Sequence, residues 1–464
     1  MIDLNNHKHI HCIGIGGIGL SALAEIFLSR GYQISGSDQK ESDITERLRA
    51  AGAKIYLQHD AKNIDGSDLV VYSSAVALDN PELSAAELRG IPAITRAQLL
   101  GCLMGEYQRS IAISGTHGKT TTTSMVSLVL KDAKMDPTIL VGGNLSEIGG
   151  NVRIGHSGYF VTEACEYMDS FLSLKPNIEI ILNIDSDHLD YFKDIDHIVS
   201  SFDTFSRLVP NDGYVIAYSA NPFVSSLLDN LSCTVVTFGF EDQCDYYASD
   251  IIFDSLGMPL FSISHLGHKL CSLQLAIPGE HNVANALAAF ACCHTLKIAT
   301  EQIVLTLEAF SGTQRRFDVI GVTKNGVRVV DDYAHHPTEI KATLKAARNI
   351  PHNKLWCIFQ PHTYTRTLAL FDDFADALCD ADKIILAEIY AAREKNITKI
   401  SSSSLVEKIK EKFPAKEVYF IESLGAIADF ILEAAKPNDL VITMGAGDIY
   451  KVAETIIEKD AATL

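Results

Sequence analysis

The 464-residue chain is short of positive charge, with 39 Lys plus Arg against 58 Asp plus Glu and a formal net charge of -19. That deficit excludes a nucleic-acid partner held through a broad basic face. An anionic ligand must instead be held locally, by glycine loops, helix N-termini, a few placed cations and metal ions. The ten cysteines, at 12, 102, 165, 233, 244, 271, 292, 293, 357 and 379, form no C-x-x-C pair and no regular ladder. They are the idle or buried thiols of a reducing compartment rather than a disulfide frame. No basic segment followed by an apolar run opens the chain, and no stretch of about 18 uninterrupted apolar residues occurs. The expectation is a soluble cytoplasmic protein without membrane insertion. A repeat of about 20 to 50 residues and low-complexity tracts are also absent, so solenoids and linker-rich chains drop out.

What is present is an ordinary globular composition, 47% apolar and 21% charged. At a soft scale of about 150 residues per domain the length allows roughly three domains. Apolar runs alternate with amphipathic stretches three times over, the pattern of β-α-β units around parallel sheets. The first set contains HIHCIGIGG, a helix expected over 20–30, YQISGSD, DLVVYSS and IPAIT. A second opens at Arg109 with RSIAISG and continues through GYFVTE, IEIILN and YVIAY to a helix-rich stretch over 281–310. The third begins near Val327 and holds VRVVDDY, KLWCIFQ, DKIILAE, EVYFIE and DLVITMG. Periodicity breaks at 101–108 and 311–316, which divides the chain into 1–107, 108–313 and 314–464. Residues 238–273 alternate and turn often, as a hairpin-like excursion does.

Two glycine loops carry the first chemistry. Gly14-Ile15-Gly16-Gly17-Ile18-Gly19 stands between a strand and a helix, with Asp38 ending the next strand. Such glycines let backbone N–H groups approach a pyrophosphate at a helix N-terminus, and the acid can take a ribose hydroxyl. Alone, the motif fits a nicotinamide or flavin dinucleotide, a nucleotide sugar, or a tight turn without ligand. The second loop, Gly115-Thr116-His117-Gly118-Lys119-Thr120, follows the strand SIAIS and precedes Thr121, Thr122 and a helix. Its N–H groups can cradle phosphates, Lys119 can neutralise β/γ oxygens and the Thr120 hydroxyl can reach Mg2+. It departs from G-x-x-x-x-G-K-[ST] because position 113 is Ile and the leading glycine stands at 115. Two phosphate sites argue against a simple dehydrogenase.

Further strand ends supply acids and imidazoles. Glu163 follows YFVT, and Asp185, Asp187 and His188 follow IEIILN, where oxygen ligands for Mg2+ would open onto the phosphate crevice. Loop solvation or helix capping is the plain alternative, favoured for both aspartates. In the third segment, Asp331 to Pro337 (DDYAHHP) and Gln360 to Arg366 (QPHTYTR) bring two histidines, a tyrosine and an arginine to neighbouring strand ends. Arg366 could clamp a carboxylate and a neutral imidazole could receive an amine proton. Zinc is the competing use of a histidine cluster, but no ligand spacing on a helix accompanies it.

Together, GTHGKTTT, PGEHNVANALAA (278–289), RRFD, DDYAHHPTE and GAGD resemble, in order and across nearly the whole chain, the Mur ligase family of ATP-dependent amide-forming enzymes. GIGGIGLSALA, HHPTEI and FQPHTYTRT resemble the branch that joins L-alanine to UDP-N-acetylmuramate. The resemblance implies an α/β chain of three domains: an N-terminal Rossmann-like UDP-substrate domain, a central P-loop ATPase-like domain and a C-terminal Rossmann-like domain for the amino acid. It implies ATP and Mg2+, with UDP-N-acetylmuramate and L-alanine as substrates, and leaves monomer and homodimer both open.

Residue by residue, it implies ATP contacts from Gly115, Thr116, His117, Gly118, Lys119, Thr120, Thr121, Asn282, Arg316 and Asp332. Metal would lie on Thr120, Glu163 and His188. UDP-substrate contacts would come from Gly16, Gly17, Ile18, Gly19, Ser37, Asp38, His59, Ser73, Ser74 and Arg96. Tyr333, His335, His362 and Arg366 would surround L-alanine, and Lys119, His188, Arg316 and His335 would be catalytic. Two departures stand out. Cys165 replaces the third residue of the family's EADE, and Thr363 replaces an arginine common after FQPH, leaving Arg366 as the carboxylate clamp. Readings from other classes are a ligase for another amino acid or peptide, a nicotinamide-dependent oxidoreductase and a non-catalytic nucleotide sensor.

Overall fold

The structure is a computed structural model that describes residues 2–392, 394–397 and 399–462. Three α/β domains each carry one sheet. In the first, five parallel strands run in the order Lys54–Tyr56, Gln33–Ser37, His9–Ile13, Leu69–Tyr72, Ala93–Thr95. The order reverses beside His9–Ile13, so the glycine loop that follows it opens at the switch point of the sheet, where such folds bind ligands. The helix after the loop, Ile18–Ser29, begins two residues before the expected start and buries Leu20, Leu23, Ile26 and Phe27.

The central sheet has ten strands, ordered His268–Gln274, Pro259–His265, Tyr246–Phe253, Thr234–Gly239, Tyr214–Tyr218, Ile178–Ile181, Arg109–Ser114, Tyr159–Glu163, Thr138–Leu145, Gly150–Arg153. Its inner strands are parallel and fully buried runs such as IEII. Each such isoleucine contributes about 1.5–3 kcal/mol of apolar burial. The expected excursion at 238–273 extends this sheet by Tyr246–Phe253, which pairs with Thr234–Gly239 in parallel, and then by the antiparallel strands Pro259–His265 and His268–Gln274. Phosphate-loop strand Arg109–Ser114 sits between Ile178–Ile181 and Tyr159–Glu163, so the loop and the ends of both neighbours share one crevice.

In the third domain the order is Asp318–Val322, Arg328–Asp332, Leu440–Met444, Leu355–Phe359, Lys383–Leu386, Glu417–Phe420, antiparallel only at the first pair. Its carboxyl strand ends meet the central crevice. The first domain packs on the second through helix Arg96–Met104, where a Cβ on Gly101 would lie 1.8 Å from the Ser173 carbonyl oxygen, so only glycine allows the approach. Among the described residues no helix is long and apolar enough to cross a membrane.

Candidate active site between the central and C-terminal domains

The phosphate loop is shaped by two left-handed glycines, Gly115 at φ 131° and Gly118 at φ 86°. At Gly118 a Cβ would also strike Asn285 Oδ1 at 2.5 Å. Asn183, from the neighbouring strand end, braces the loop from below. Its side-chain oxygen accepts from the His117 N–H at 2.8 Å, its amide donates to the His117 carbonyl at 3.0 Å, and its own carbonyl accepts from the Thr116 N–H at 3.1 Å. Sequence reasoning passed over Asn183, although it stands in the same post-strand segment as the aspartates it did weigh.

Lys119 opens helix Lys119–Asp132 and is nearly buried. Its ammonium donates to the carbonyls of Gly115 and Thr116 and to Glu166 Oε2 at 2.8 Å. Burial alone would lower its pKa, but Glu166, with Cys165 and Glu163 nearby, raises it above the usual lysine value, so Lys119 is a fixed cation. Glu166 is the second residue the motifs left aside. It is buried, and its Oε1 lies 3.9 Å from His188 Nε2. His188 itself takes a left-handed backbone, φ 53°, and rests on the Tyr167 ring at 4.7 Å.

Glu163 and Thr120 converge on Gly142 and Gly143. Glu163 Oε1 accepts the Gly142 N–H at 2.6 Å, and a Cβ at Gly143 would lie 3.1 Å from Thr120 Cγ2. Threonine and glutamate at a phosphate loop offer the hard oxygen donors Mg2+ takes. The imidazole of His188 is a softer donor and lies beside Glu166 instead.

The two aspartates after IEIILN tie the domains together. Asp187 Oδ1 accepts from Arg366 Nε at 3.0 Å and Nη2 at 2.9 Å, across the domain boundary. Asp185 Oδ2 accepts from the Thr338 hydroxyl at 2.7 Å and faces His117 Nε2 at 3.3 Å. Both carboxyls lie well below the usual range, Asp185 chiefly through its bond to His117, Asp187 because Arg366 and nearby histidines outweigh burial. His117 also meets Glu339 Oε1 at 3.1 Å through Nδ1. Burial disfavours the imidazolium, yet these two carboxylates push its pKa up to about 9, so it is a cation at neutral pH. His117 therefore joins the phosphate loop to helix Pro337–Arg348 of the third domain.

On the third-domain side, burial lowers both His335 and His362 to about 4, leaving them uncharged. His335 Nδ1 lies 3.0 Å from the Tyr333 carbonyl, which assigns the proton to that nitrogen and leaves Nε2 an acceptor. The ring centroids of His335 and His362 are 6.1 Å apart, and Arg366 Nη1 lies 3.3 Å from His362 Nδ1. Asp332, buried and raised to about 6 by that burial, accepts from the N–H groups of Ala334 at 2.7 Å and Phe317 at 2.8 Å. Arg316 lies over the Tyr333 ring at 5.0 Å.

A cavity of about 610 Å³ begins at His117, Gly118 and Thr121 and runs between the two domains past Asn282, Arg316 and Asp332. Phe223, Phe238 and Phe240 also line it. Asn282 donates to the Pro278 carbonyl at 2.7 Å, and the adjacent His281, exposed at the cavity edge, is a further lining residue the motifs did not single out.

The first-domain residues form a separate site. Gly16 N–H donates to Asp38 Oδ2 at 2.9 Å, and Arg96 lies against Gly19, where a Cβ would be 3.1 Å from Nη1. Ser73 Oγ lies 3.4 Å from the Cβ position of Gly14. The Ser37 side chain points away from the loop: it is buried and donates to Glu82 Oε2 at 2.6 Å, an oxygen that also faces His59 Nδ1 at 3.0 Å. Gly17 caps the helix that begins at Ile18, whose side chain is 53% exposed, and Ser74 lies in the turn after Leu69–Tyr72.

Family models match the chain in three consecutive blocks: Mur ligase family, catalytic domain, over 9–108; Mur ligase middle domain over 113–293; and Mur ligase, glutamate ligase domain, over 315–447. A UDP-N-acetylmuramate–L-alanine ligase of Acetivibrio thermocellus is 49% identical over 459 residues, 99% of this chain and 97% of the relative. The protein of that name from Caldanaerobacter subterraneus subsp. tengcongensis is 50% identical over 459 residues, 99% of both chains. The crystal structure of the UDP-N-acetylmuramate-alanine ligase of Thermotoga maritima superposes with a TM-score of 0.83 at 32% identity, covering 99% of this chain and 100% of that one.

Proposed function

This chain belongs to the Mur ligase family, and from that premise we propose that it joins L-alanine to the lactyl carboxylate of UDP-N-acetylmuramate, an ATP-dependent step of peptidoglycan precursor synthesis. The observation that carries this reading is the meeting of a fixed Lys119 cation on the phosphate loop with Arg316, His335 and Arg366 brought by the third domain across one crevice. Near 50% identity over the whole chain to ligases of that name sets the substrates.

A carboxylate has a poor leaving group. Attack of a lactyl carboxylate oxygen on the γ-phosphorus of ATP forms an acyl phosphate and releases ADP. Attack of the alanine nitrogen on the acyl carbon then forms the amide bond, expels phosphate and sheds a proton. Positioning and charge neutralisation supply most of what such a phosphoryl transfer needs. The loop N–H groups and Lys119 receive the phosphates, and Arg316, which lies over Tyr333, adds charge from the third domain. Nucleoside atoms take the cavity lined by Asn282, His281 and Asp332. Thr120 and Glu163 would hold Mg2+, which would supply positive charge to the phosphates, with His188 beside Glu166 as the residue for a second ion. Asp187 occupies Nε and Nη2 of Arg366 and His362 Nδ1 faces Nη1, so the second N–H of Nη1 would meet the alanine carboxylate. His335, neutral with Nε2 free to accept, takes the amine proton.

The division of ligands follows the chain: UDP-sugar on 1–107, ATP on 108–313, amino acid on 314–464. Gly16 to Gly19, Asp38, Ser73 and Arg96 face the first ligand, whereas Ser37 and His59 act through Glu82 beneath the loop. A coupled phosphate-release assay with ATP, UDP-N-acetylmuramate and single amino acids tests the reading. Release with L-alanine well above glycine, serine or a peptide is expected. Release only with a peptide transfers the chain to another ligase of the family, absorbance change with NAD(P)H to an oxidoreductase, and ATP binding without release to a sensor.

A further inference from the structure

The loop histidine, the first aspartate after IEIILN and the second histidine of DDYAHHP have a geometry that amide formation does not use. His117 Nε2 and Asp185 Oδ2 are 3.3 Å apart, and His336 Nδ1 lies 4.0 Å from the same oxygen. All three ligand atoms fall within 4.8 Å of one another. An ion held tetrahedrally at about 2.0–2.1 Å needs donor separations of about 3.3–3.4 Å, so His336 must move by about 0.6 Å or more toward the other two to close the set.

The outer contacts aim these atoms at one point. A metal-bound histidine characteristically gives its other ring N–H to a carboxylate or a carbonyl. His117 Nδ1 faces Glu339 Oε1 at 3.1 Å, and His336 Nε2 faces the Ser186 carbonyl at 3.0 Å. Both rings are thereby held with the remaining nitrogen toward Asp185. The aspartate is held in turn, its Oδ1 accepting the Ser186 N–H at 2.8 Å. His336 is buried, while His117 and Asp185 border the interdomain cavity, which leaves a fourth position for water or a ligand oxygen. Two imidazoles and one carboxylate suit zinc, cobalt or nickel rather than Mg2+, which prefers oxygen.

We propose that His117, Asp185 and His336 form a transition-metal site of the zinc class that bridges the central and C-terminal domains. The ion replaces the proton on His117 Nε2, which leaves to solvent, and takes the lone pair of His336 Nδ1 that now accepts the Thr338 N–H at 3.3 Å. Because its ligands come from two domains, the ion favours the closed arrangement and competes with opening. The site is independent of which amino acid the ligase uses, since it rests on these three side chains and their outer partners alone.

Cobalt titration of the full-length protein tests this, because tetrahedral Co2+ absorbs visibly where octahedral Co2+ hardly does. One equivalent of visibly absorbing Co2+, bound with release of a proton at neutral pH and then displaced by Zn2+ without further release, is expected. His336→Gln and Asp185→Asn should each weaken binding at least about tenfold, and Glu339→Gln, which touches no metal, about tenfold by releasing the His117 ring. A thiolate charge-transfer band in the near ultraviolet, absence of a visible band, or affinities unmoved by all three variants overturns the proposal. Should the variants not fold, X-ray absorption of the zinc-loaded parent decides it: two imidazoles without sulfur support the site, and any sulfur ligand rejects it.

Discussion

The chain uses a strand, a glycine loop and a helix twice, at 14–19 and at 115–120, and the two are wired differently. Every contact described above for the first loop lies within its own domain: Asp38 takes the Gly16 N–H, and beneath the loop the buried Glu82 gathers Ser37, His59, Asn63 and, at 3.5 Å, His11. The second loop is braced by Asn183 and Glu166 of its own sheet and then, through His117, by Glu339 of another domain. Among the described residues the first loop takes a single hydrogen bond from the central domain, the Ile18 carbonyl accepting from Asn151 Nδ2 at 3.2 Å; the second reaches its full contact set only when the central and C-terminal domains close. A static loop suits a substrate that is held throughout, and a loop dependent on closure suits one whose reaction must wait for the third ligand.

The largest blow to this contrast would come from Lys119→Ala. Loss of the fixed Lys119 cation at the transferring phosphate should lower kcat by about 10²–10³-fold in phosphate release, as for the loss of a single transition-state donor elsewhere. A near-normal kcat would sink the assigned role.

Glu82→Gln comes next and acts on stability. Replacing a buried, charged acceptor of several hydrogen bonds should destabilise the first domain by about 1.5–3 kcal/mol at neutral pH, read as an earlier unfolding transition. Burial would raise the Glu82 pKa, but the nearby His11 and the bonds from Ser37 and Asn63 hold it at about 2. A lowered pKa gives stability present above the unfolded value of 4.5 and lost as pH falls through about 2, so the parent's advantage should shrink in that acid window. An advantage constant down to pH 2 would remove Glu82 from its place as hub.

Asp38→Ala sharpens the comparison from the ligand side. The expected result is an increase of about tenfold in KM for the UDP-sugar with kcat nearly unchanged, the size of one charge-assisted bond. An equal fall in kcat would mean that the first loop also takes part in closure.

The smallest effect, and the one that separates the loops by pH, belongs to His117→Gln. A pKa raised to about 9 gives interdomain stability that is full below the unfolded 6.5 and lost as pH rises through 9. The difference in melting temperature between parent and variant should therefore fade on the alkaline side, opposite to the Glu82 window. A difference that persists above pH 9 would assign His117 a packing role only.

Much of the frame was legible because its signals are local. Strand runs, glycine punctuation and the breaks near 101–108 and 311–316 each need only neighbouring residues to be read. The partners of those signals were not legible. Asp185 and Asp187 fit loop solvation from sequence alone, yet Asp187 meets Arg366 from 179 positions away and Asp185 meets Thr338 from 153. Glu166 stood beside a noted cysteine and drew no attention, since nothing in the motif shows that Lys119 will turn toward it. Ser37 stands in the position of a ligand contact, but strand pleat sends its hydroxyl into the domain, onto Glu82.

By itself, the sequence determined three parallel-sheet domains, two glycine loops with a lysine in the second, and a charge balance that forces anions to be bound locally. These follow from short-range periodicity and backbone chemistry. Tertiary structure alone decided which charges pair. Whether His117 is a cation, Asp187 a partner of Arg366 or Glu82 a buried hub depends on burial and on groups brought within about 4 Å by folding, where Coulomb and hydrogen-bond energies become large.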